Sequence, residues 1–327
     1  MLVLSKEDIQ NCFTMKEAIE ADKEALRLYT EGKTQVPLRV NLNLEEQNGQ
    51  SLFMPAYSGG AEPSLGVKIV SVYPDNYKKG LPNLPATMIV LNPETGVVDA
   101  IVDGTYLTQL RTGAVQGAAT DMLANKEVEI GALIGTGGQA ESQLEAMLTV
   151  REFKQINVYD RDIERAEAFC ETVAKQYPTV TFKATKTPKE TVTEADVITT
   201  VTTSRMPTFD AADVKKGAHI NGVGSYTPVM KEIPAEIIKV ADTIIFDTTE
   251  GVMAEAGDFI DPIKDGVVTE EAYTGELGQL VLGQIEGRQA VDDITIFKTV
   301  GSAVLDSVTA QKIVDKAREL GLGKEIN

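Results

Sequence analysis

Histidine is nearly missing from this chain: 327 residues hold one, His219, and tryptophan is absent. With a single histidine, a Ser-His or Cys-His triad has only one candidate base. That base opens the apolar run 219–223, which reads as an ordinary strand-end residue rather than a catalytic one. Cysteine is equally scarce. Cys12 and Cys170 fall in separate segments without ligand spacing, so reduced, buried thiols are expected, and neither a disulfide framework nor a metal site. No apolar run reaches the roughly 18 residues of a membrane helix, and residues 1–8 lack a basic stretch leading into a long apolar one. Neither a membrane partner nor a secretory leader is therefore expected, and a cytoplasmic location is. Basic side chains are also in deficit, with 31 Lys and Arg against 49 Asp and Glu, a formal charge of −18. Nucleic acid, whose binding rests on clustered cations, is an unsuitable partner. Any anionic small molecule must be met by a local cluster of positive charge.

What the chain does have is 43% apolar residues in a length that exceeds one ordinary core, so two domains are expected. The run Gly135-Thr136-Gly137-Gly138-Gln139-Ala140 follows an apolar strand pattern, 130–134, and opens a helical one, 139–150. In that setting the first glycine permits a tight turn, the second lets backbone N–H groups approach a pyrophosphate, and Ala140 allows close helix packing. The helix start then faces the anion. Asp160 follows Ala140 by 20 residues, at the end of a second apolar strand, where a ribose-binding carboxylate belongs. Dinucleotide binding is the expectation. Asp160 favours NAD by accepting the 2′-hydroxyl, while Arg161 beside it keeps NADP as the alternative.

The strand and helix signals divide the chain. A capping box, 14–17, opens a helix that runs to Gly32, and the period-two pattern of 38–44 predicts a half-buried strand. Further strands are predicted at 51–57, 66–73 and 86–91, the last leading through the turn 92–96 into 97–102. From 130 onward, strands at 130–134, 156–159, 180–184, 197–201, 219–223, 243–246 and 294–297 alternate with helical stretches, and a last helix covers 302–320. The fold class is thus α/β, a doubly wound parallel sheet of Rossmann type joined to a mostly antiparallel α+β unit.

Three cations stand in unusual places. Arg39 lies on a strand face with Asn41 and Asn43, Lys68 shares a face with Val70 and Val72, and Arg111 falls near the expected start of the helix 107–123. A lysine among β-branched neighbours and a cation at a helix start are both disfavoured unless an anion compensates. Each can be a solvated or ion-paired charge, or the three can converge on a carboxylate, with arginine supplying bidentate geometry.

These residues, with Pro37-Leu38-Arg39, Gly66-Val67-Lys68, Tyr73-Pro74-Asp75-Asn76, Pro85-Ala86-Thr87, the stretch 107–114, the GTGGQA loop, 297–303 and Asp306, resemble the ornithine cyclodeaminase/mu-crystallin family along essentially the whole chain. The resemblance implies a substrate-binding and dimerisation domain, 1–113 with 302–327, around a Rossmann domain, 114–301, in a homodimer. It implies that Arg39, Lys68 and Arg111 hold a substrate carboxylate, with Lys68 also at the reacting nitrogen. Thr87, the loop Gly135 to Ala140, Asp160, Arg161, Val223, Val300 and Gly301 would contact a nicotinamide coenzyme. Cyclodeaminases carry G-x-D-x-P-x-K-x-E, whereas here Tyr226 replaces the Asp and Met230 the Lys. That departure turns the expectation from ornithine cyclisation to an oxidoreductase acting at the α-carbon of a small amino or imino acid, a ketimine reductase or an alanine dehydrogenase. Tyr226 is then either a proton donor or a packed turn residue. A cyclodeaminase and a non-catalytic binding protein remain the alternatives.

Overall fold

The computed structural model describes residues 1–326. The chain divides into two compact units, Met1–Arg111 with the segment from Ser302 onward, and Thr112–Gly301.

The first unit begins with β1 (Leu2–Leu4), α1 (Lys6–Cys12) and α2 (Met15–Thr30). Both helices start at capping boxes: Ser5 with Asp8, and Thr14 with Glu17, each satisfying two backbone donors that the first turn leaves unpaired. Six strands follow, β2 (Thr34–Gln35), β3 (Val40–Leu44), β4 (Gly49–Ser58), β5 (Ser64–Val72), β6 (Ala86–Leu91) and β7 (Val98–Asp103), and then α3 (Gly104–Leu123), inside which the boundary between units falls. The β6–β7 hairpin closes at Asn92–Gly96, where the Asn92 side chain accepts from the Glu94 and Thr95 N–H groups and Gly96 takes φ +71°.

The second unit alternates strand and helix: β8 (Ile130–Ile134), α4 (Ala140–Val150), β9 (Gln155–Tyr159), α5 (Ile163–Gln176), β10 (Thr181–Ala184), α6 (Pro188–Val192), β11 (Val197–Thr200), β12 (His219–Gly222), α7 (Ala235–Val240), β13 (Thr243–Phe246), α8 (Thr249–Glu255), α9 (Gly257–Lys264), β14 (Gly275–Glu276), α10 (Leu277–Val281) and β15 (Thr295–Lys298). All eight strands pair in parallel in the order β10-β9-β8-β11-β12-β15-β13-β14. The order reverses between β8 and β11, which creates the crevice at the carboxyl ends where ligands of such sheets bind. Strands β11, β12, β13 and β15 are buried along their whole length, as expected for a sheet covered on both faces.

The chain then returns to the first unit with α11 (Ala303–Leu320) and β16 (Lys324–Glu325). There α11 packs on α2 and lies across β4, β5 and β6. The sheet runs β16-β1-β7-β6-β5-β4-β2, with β3 added on β4; its pairs are antiparallel except β1 with β7.

Two local expectations are corrected. Strand β3 starts only at Val40 and is not half-buried: Val40 and Leu42 on one face are 56% and 53% exposed and Asn41 and Asn43 on the other are exposed too, so neither face of this edge strand is covered, and Leu38 before it is 56% exposed. Helix α3 begins at Gly104, so Arg111 lies two turns inside it, and the helix-start penalty does not apply. The segment before Thr14, for which no element is predicted above, contains β1 and α1. Among the described residues no helix is long and apolar enough to cross a membrane.

Candidate active site

In the second unit the glycine-rich loop leaves β8 through Gly135, at φ +101°, a conformation that L side chains rarely adopt. A Cβ there would also come within 2.8 Å of the Val201 carbonyl. At Gly137, by contrast, a Cβ would meet nothing within 4 Å, so the backbone is open to a large ligand. Helix α4 then starts at Ala140, and Gln139 before it supplies no side-chain cap, which leaves first-turn N–H groups for an anion. Asp160 ends β9. One of its oxygens accepts from the Thr136 N–H (3.1 Å) and hydroxyl (2.7 Å), the other from the Asp162 N–H (3.1 Å). Burial pushes this carboxyl up, but those hydrogen bonds outweigh it and hold the group below the usual range, hence ionised. Arg161 is exposed. This donor set fits a dinucleotide: an open glycine, an uncapped helix start and a charged acid at the strand end.

Two further segments of this unit carry expected contacts. Val223 follows β12, its N–H donating to the Thr200 carbonyl at 2.9 Å. Val300 and Gly301 both donate N–H to Asp247 (3.1 and 2.9 Å), a fully buried carboxylate that also receives the Thr299 hydroxyl at 2.5 Å. Tyr226 is half-buried and packs against the core that includes Ile233, Ile237 and Phe259. His219 is fully buried between Thr295 (2.8 Å) and Asn221 (3.0 Å), and burial, with Arg288 nearby, pushes it down to about 3, so it stays neutral.

The first unit holds the cations. Lys68, in the middle of β5, is 1% exposed, and Arg111 is 5% exposed. Both converge on one oxygen of Asp306 in the first turn of α11, Lys68 Nζ at 2.7 Å and Arg111 Nε at 2.8 Å. Burial, then the Arg111 charge, lowers Lys68 to about 7 against the pull of Asp306, and Arg39 acts in the same direction. Behind this group Asp22 of α2 is fully buried and accepts from the Thr309 hydroxyl at 3.0 Å; burial holds its carboxyl well above the ordinary range. Two buried basic side chains therefore share one carboxylate oxygen. Arg111 Nη1 and the second oxygen of Asp306 are buried without a hydrogen-bond partner. An unpaired buried guanidinium N–H costs on the order of 1–3 kcal/mol, and a carboxylate ligand would recover it.

Of the expected residues, Lys68 and Arg111 thus meet directly, while Arg39, half-buried just before β3, joins them through its charge. Thr87 is exposed on β6, opposite Ile69 in the neighbouring strand. Asp306 belongs to the family resemblance but is given no role by it; its local signal is an acid after Ala303, Val304 and Leu305 at a helix start. Asp22 and Asp247 likewise look in sequence like ordinary polar positions. Among the described residues, no group of three or more His, Cys, Asp or Glu side chains could hold a metal.

Together these features define a two-unit α/β protein built on a Rossmann nucleotide fold, with a separate unit that buries Lys68 and Arg111 on a shared Asp306. The family model of the ornithine cyclodeaminase/mu-crystallin proteins matches residues 1–321, and the chain belongs to that family. It is 36% identical over 326 residues to Delta(1)-pyrroline-2-carboxylate reductase of Bacillus cereus, covering 100% of this chain and 99% of the relative. The solved Thermococcus litoralis Delta(1)-pyrroline-2-carboxylate reductase, in complex with NADH and L-proline, superposes with a TM-score of 0.95 at 37% identity, covering 100% of both chains. An archaeal alanine dehydrogenase dimer with bound NAD superposes with a TM-score of 0.92 at 34% identity, covering 100% of this chain and 99% of that one.

Proposed function

We propose that the protein is an NAD(H)-dependent oxidoreductase of small imino and amino acids, a Delta(1)-pyrroline-2-carboxylate reductase in type, with alanine dehydrogenase chemistry as the open-chain version of the same reaction. The observation that carries this reading is the buried Lys68–Asp306–Arg111 group with its unpaired guanidinium N–H. Relatives named as reductase and dehydrogenase support it. Arg111 and Arg39 receive the substrate carboxylate and Lys68 stands at the nitrogen. With a pKa of about 7, Lys68 can give a proton to that nitrogen and regain it from water near neutrality. The nicotinamide, when bound, supplies the hydride to the C=N carbon. What the protein adds is orientation and charge complementarity.

Thr87, the turn Gly135 to Ala140, Asp160, Arg161, Val223, Val300 and Gly301 form the coenzyme contacts in this reading. The ionised Asp160 favours NAD over NADP, since it would repel a 2′-phosphate, and Arg161 is the residue that could soften that preference. Tyr226 is a second proton donor only if its phenol, rather than its packing, matters; Tyr226→Phe tests that. The first unit binds substrate and pairs with a second copy, for which the exposed Val40 and Leu42 on an edge strand, with Leu38 just before it, are the fitting surface. The location is cytoplasmic.

The test is to mix the protein with NADH or NADPH and, in turn, 1-pyrroline-2-carboxylate, 1-piperideine-2-carboxylate, and pyruvate with ammonia, following loss of reduced coenzyme. Consumption of NADH with a cyclic imino acid is the expected result. Release of ammonia from ornithine without net coenzyme change would replace this reading with a cyclodeaminase.

A further inference from the structure

The second unit buries another charged group that no part of the reading above uses. Glu232 is fully buried, and each of its oxygens takes two donors. One accepts from the Thr202 N–H (2.6 Å) and hydroxyl (2.9 Å), the other from the Gly224 N–H (2.6 Å) and Ser225 N–H (2.9 Å). Beneath it, Asp258 in the first turn of α9 accepts from the Glu232 N–H (2.5 Å) and Ile233 N–H (2.9 Å). The other oxygen of Asp258 lies 3.1 Å from Nζ of Lys298, the last residue of β15, and both side chains are completely buried.

Two carboxylates and one ammonium taken out of water are expensive, and apolar residues of similar volume would fill such a space at lower cost. They could not, however, hold four donors from two loops. Those loops leave the carboxyl ends of β11 and β12, and β11 borders β8 at the reversal of strand order where a dinucleotide sits. Thr202 is also what the glycine-rich turn leans on: the atoms nearest a Cβ built at Gly135 are the Val201 carbonyl and Cγ2 of Thr202. On the other side, Gly224 is pressed so closely to the Thr202 backbone that a Cβ would strike it.

We propose that Glu232 is a positioning residue for the coenzyme, a strut that locks the loops after β11 and β12 to each other and, through Thr202, sets the seat of the glycine-rich turn. The inference rests on the dinucleotide reading of this unit. Asp258 and Lys298 hold the strut in place from below.

Glu232→Gln tests it, because the amide keeps one acceptor but turns an NH₂ toward the two donors on the other side. NADH affinity, read by fluorescence titration without substrate, is expected to weaken about tenfold or more. The KM for NADH should rise in parallel while kcat at saturating NADH stays within about threefold. In the coenzyme-free variant, amide exchange should speed up at Thr202, Gly224 and Ser225. Asp196→Asn is the control: Asp196 clamps the Glu129 and Ile130 N–H groups at the opposite, amino end of the strands, so it should lower stability without moving NADH affinity. If Glu232→Gln does not fold, Thr202→Val removes one donor and should weaken NADH about threefold. Unchanged NADH affinity in the folded variant overturns the strut, as does an equal loss in Asp196→Asn. A wild-type protein that forms no NADH complex would instead remove the coenzyme reading beneath it.

Discussion

The two units bury charge in opposite ways. In the first, Lys68 and Arg111 share one oxygen of Asp306, and a guanidinium N–H and the other Asp306 oxygen are left without hydrogen-bond partners. In the second, six donors from the surrounding loops fill both oxygens of Glu232 and one oxygen of Asp258, while the other Asp258 oxygen and the Lys298 Nζ have only each other, as an ion pair at 3.1 Å. A buried guanidinium with an unused N–H can take a group that arrives from solution, whereas a carboxylate whose two oxygens are filled by loop donors, as Glu232 is, is arranged to hold those loops. The chemistry agrees: basic side chains suit a carboxylate ligand, and carboxyl oxygens suit the N–H groups of loop ends.

Removing Asp258 should have the largest effect on stability. Asp258→Ala leaves the Lys298 ammonium without its ion pair and two N–H groups without an acceptor, and should cost about 3–5 kcal/mol by urea unfolding. A loss under about 1 kcal/mol would break the contrast. Lys68→Met sits on the other side of it: kcat/KM for the imino acid should fall about 10²-fold or more, while the melting temperature holds or rises, because a surplus buried cation is gone and Arg111 still pairs with Asp306. Equal loss of stability and activity would mean that the first cluster, too, is structural.

The smallest effect is a pH dependence. Lys68 is lowered from 10.5 to about 7, so its proton is lost as pH rises through about 7. Reduction, which needs that proton, should show kcat/KM falling about tenfold per pH unit above that point, and oxidation of proline should rise. Lys68→Met should lack the break. The stability sign is also determined: the fold disfavours the ammonium, so the penalty is complete below about pH 7 and fades as pH rises toward 10.5. The stability gap between the wild type and Lys68→Met should narrow over that range.

Much of this molecule was legible from residue order. The Rossmann alternation, the GTGGQA turn and Asp160 are local patterns, each set by neighbours within a strand–turn–helix unit, and the pairing of Thr136 with Asp160 closes that unit on itself. Lys68 and Arg111 were conspicuous because each stood in a context that disfavours a cation. Their partner was not. Asp306 lies 238 residues from Lys68, and nothing in its own surroundings distinguishes it from a helix-capping acid. The strand at Val40–Leu44 misled for a similar reason: alternation predicts a buried face, but whether a face is covered depends on which strands lie beside it.

By itself, then, the sequence determined the two kinds of unit, the nucleotide cradle and the presence of cations that needed an anion, because those follow from periodicity and from the energetics of single side chains. Only the tertiary structure decided which carboxylates answer those cations and which answer the backbone. Asp22, Asp306, Glu232 and Asp258 are the same chemistry in sequence, and their partners part only through chain closure over long separations: the Thr309 hydroxyl for Asp22, Lys68 and Arg111 for Asp306, loop N–H groups for Glu232, and Lys298 for Asp258.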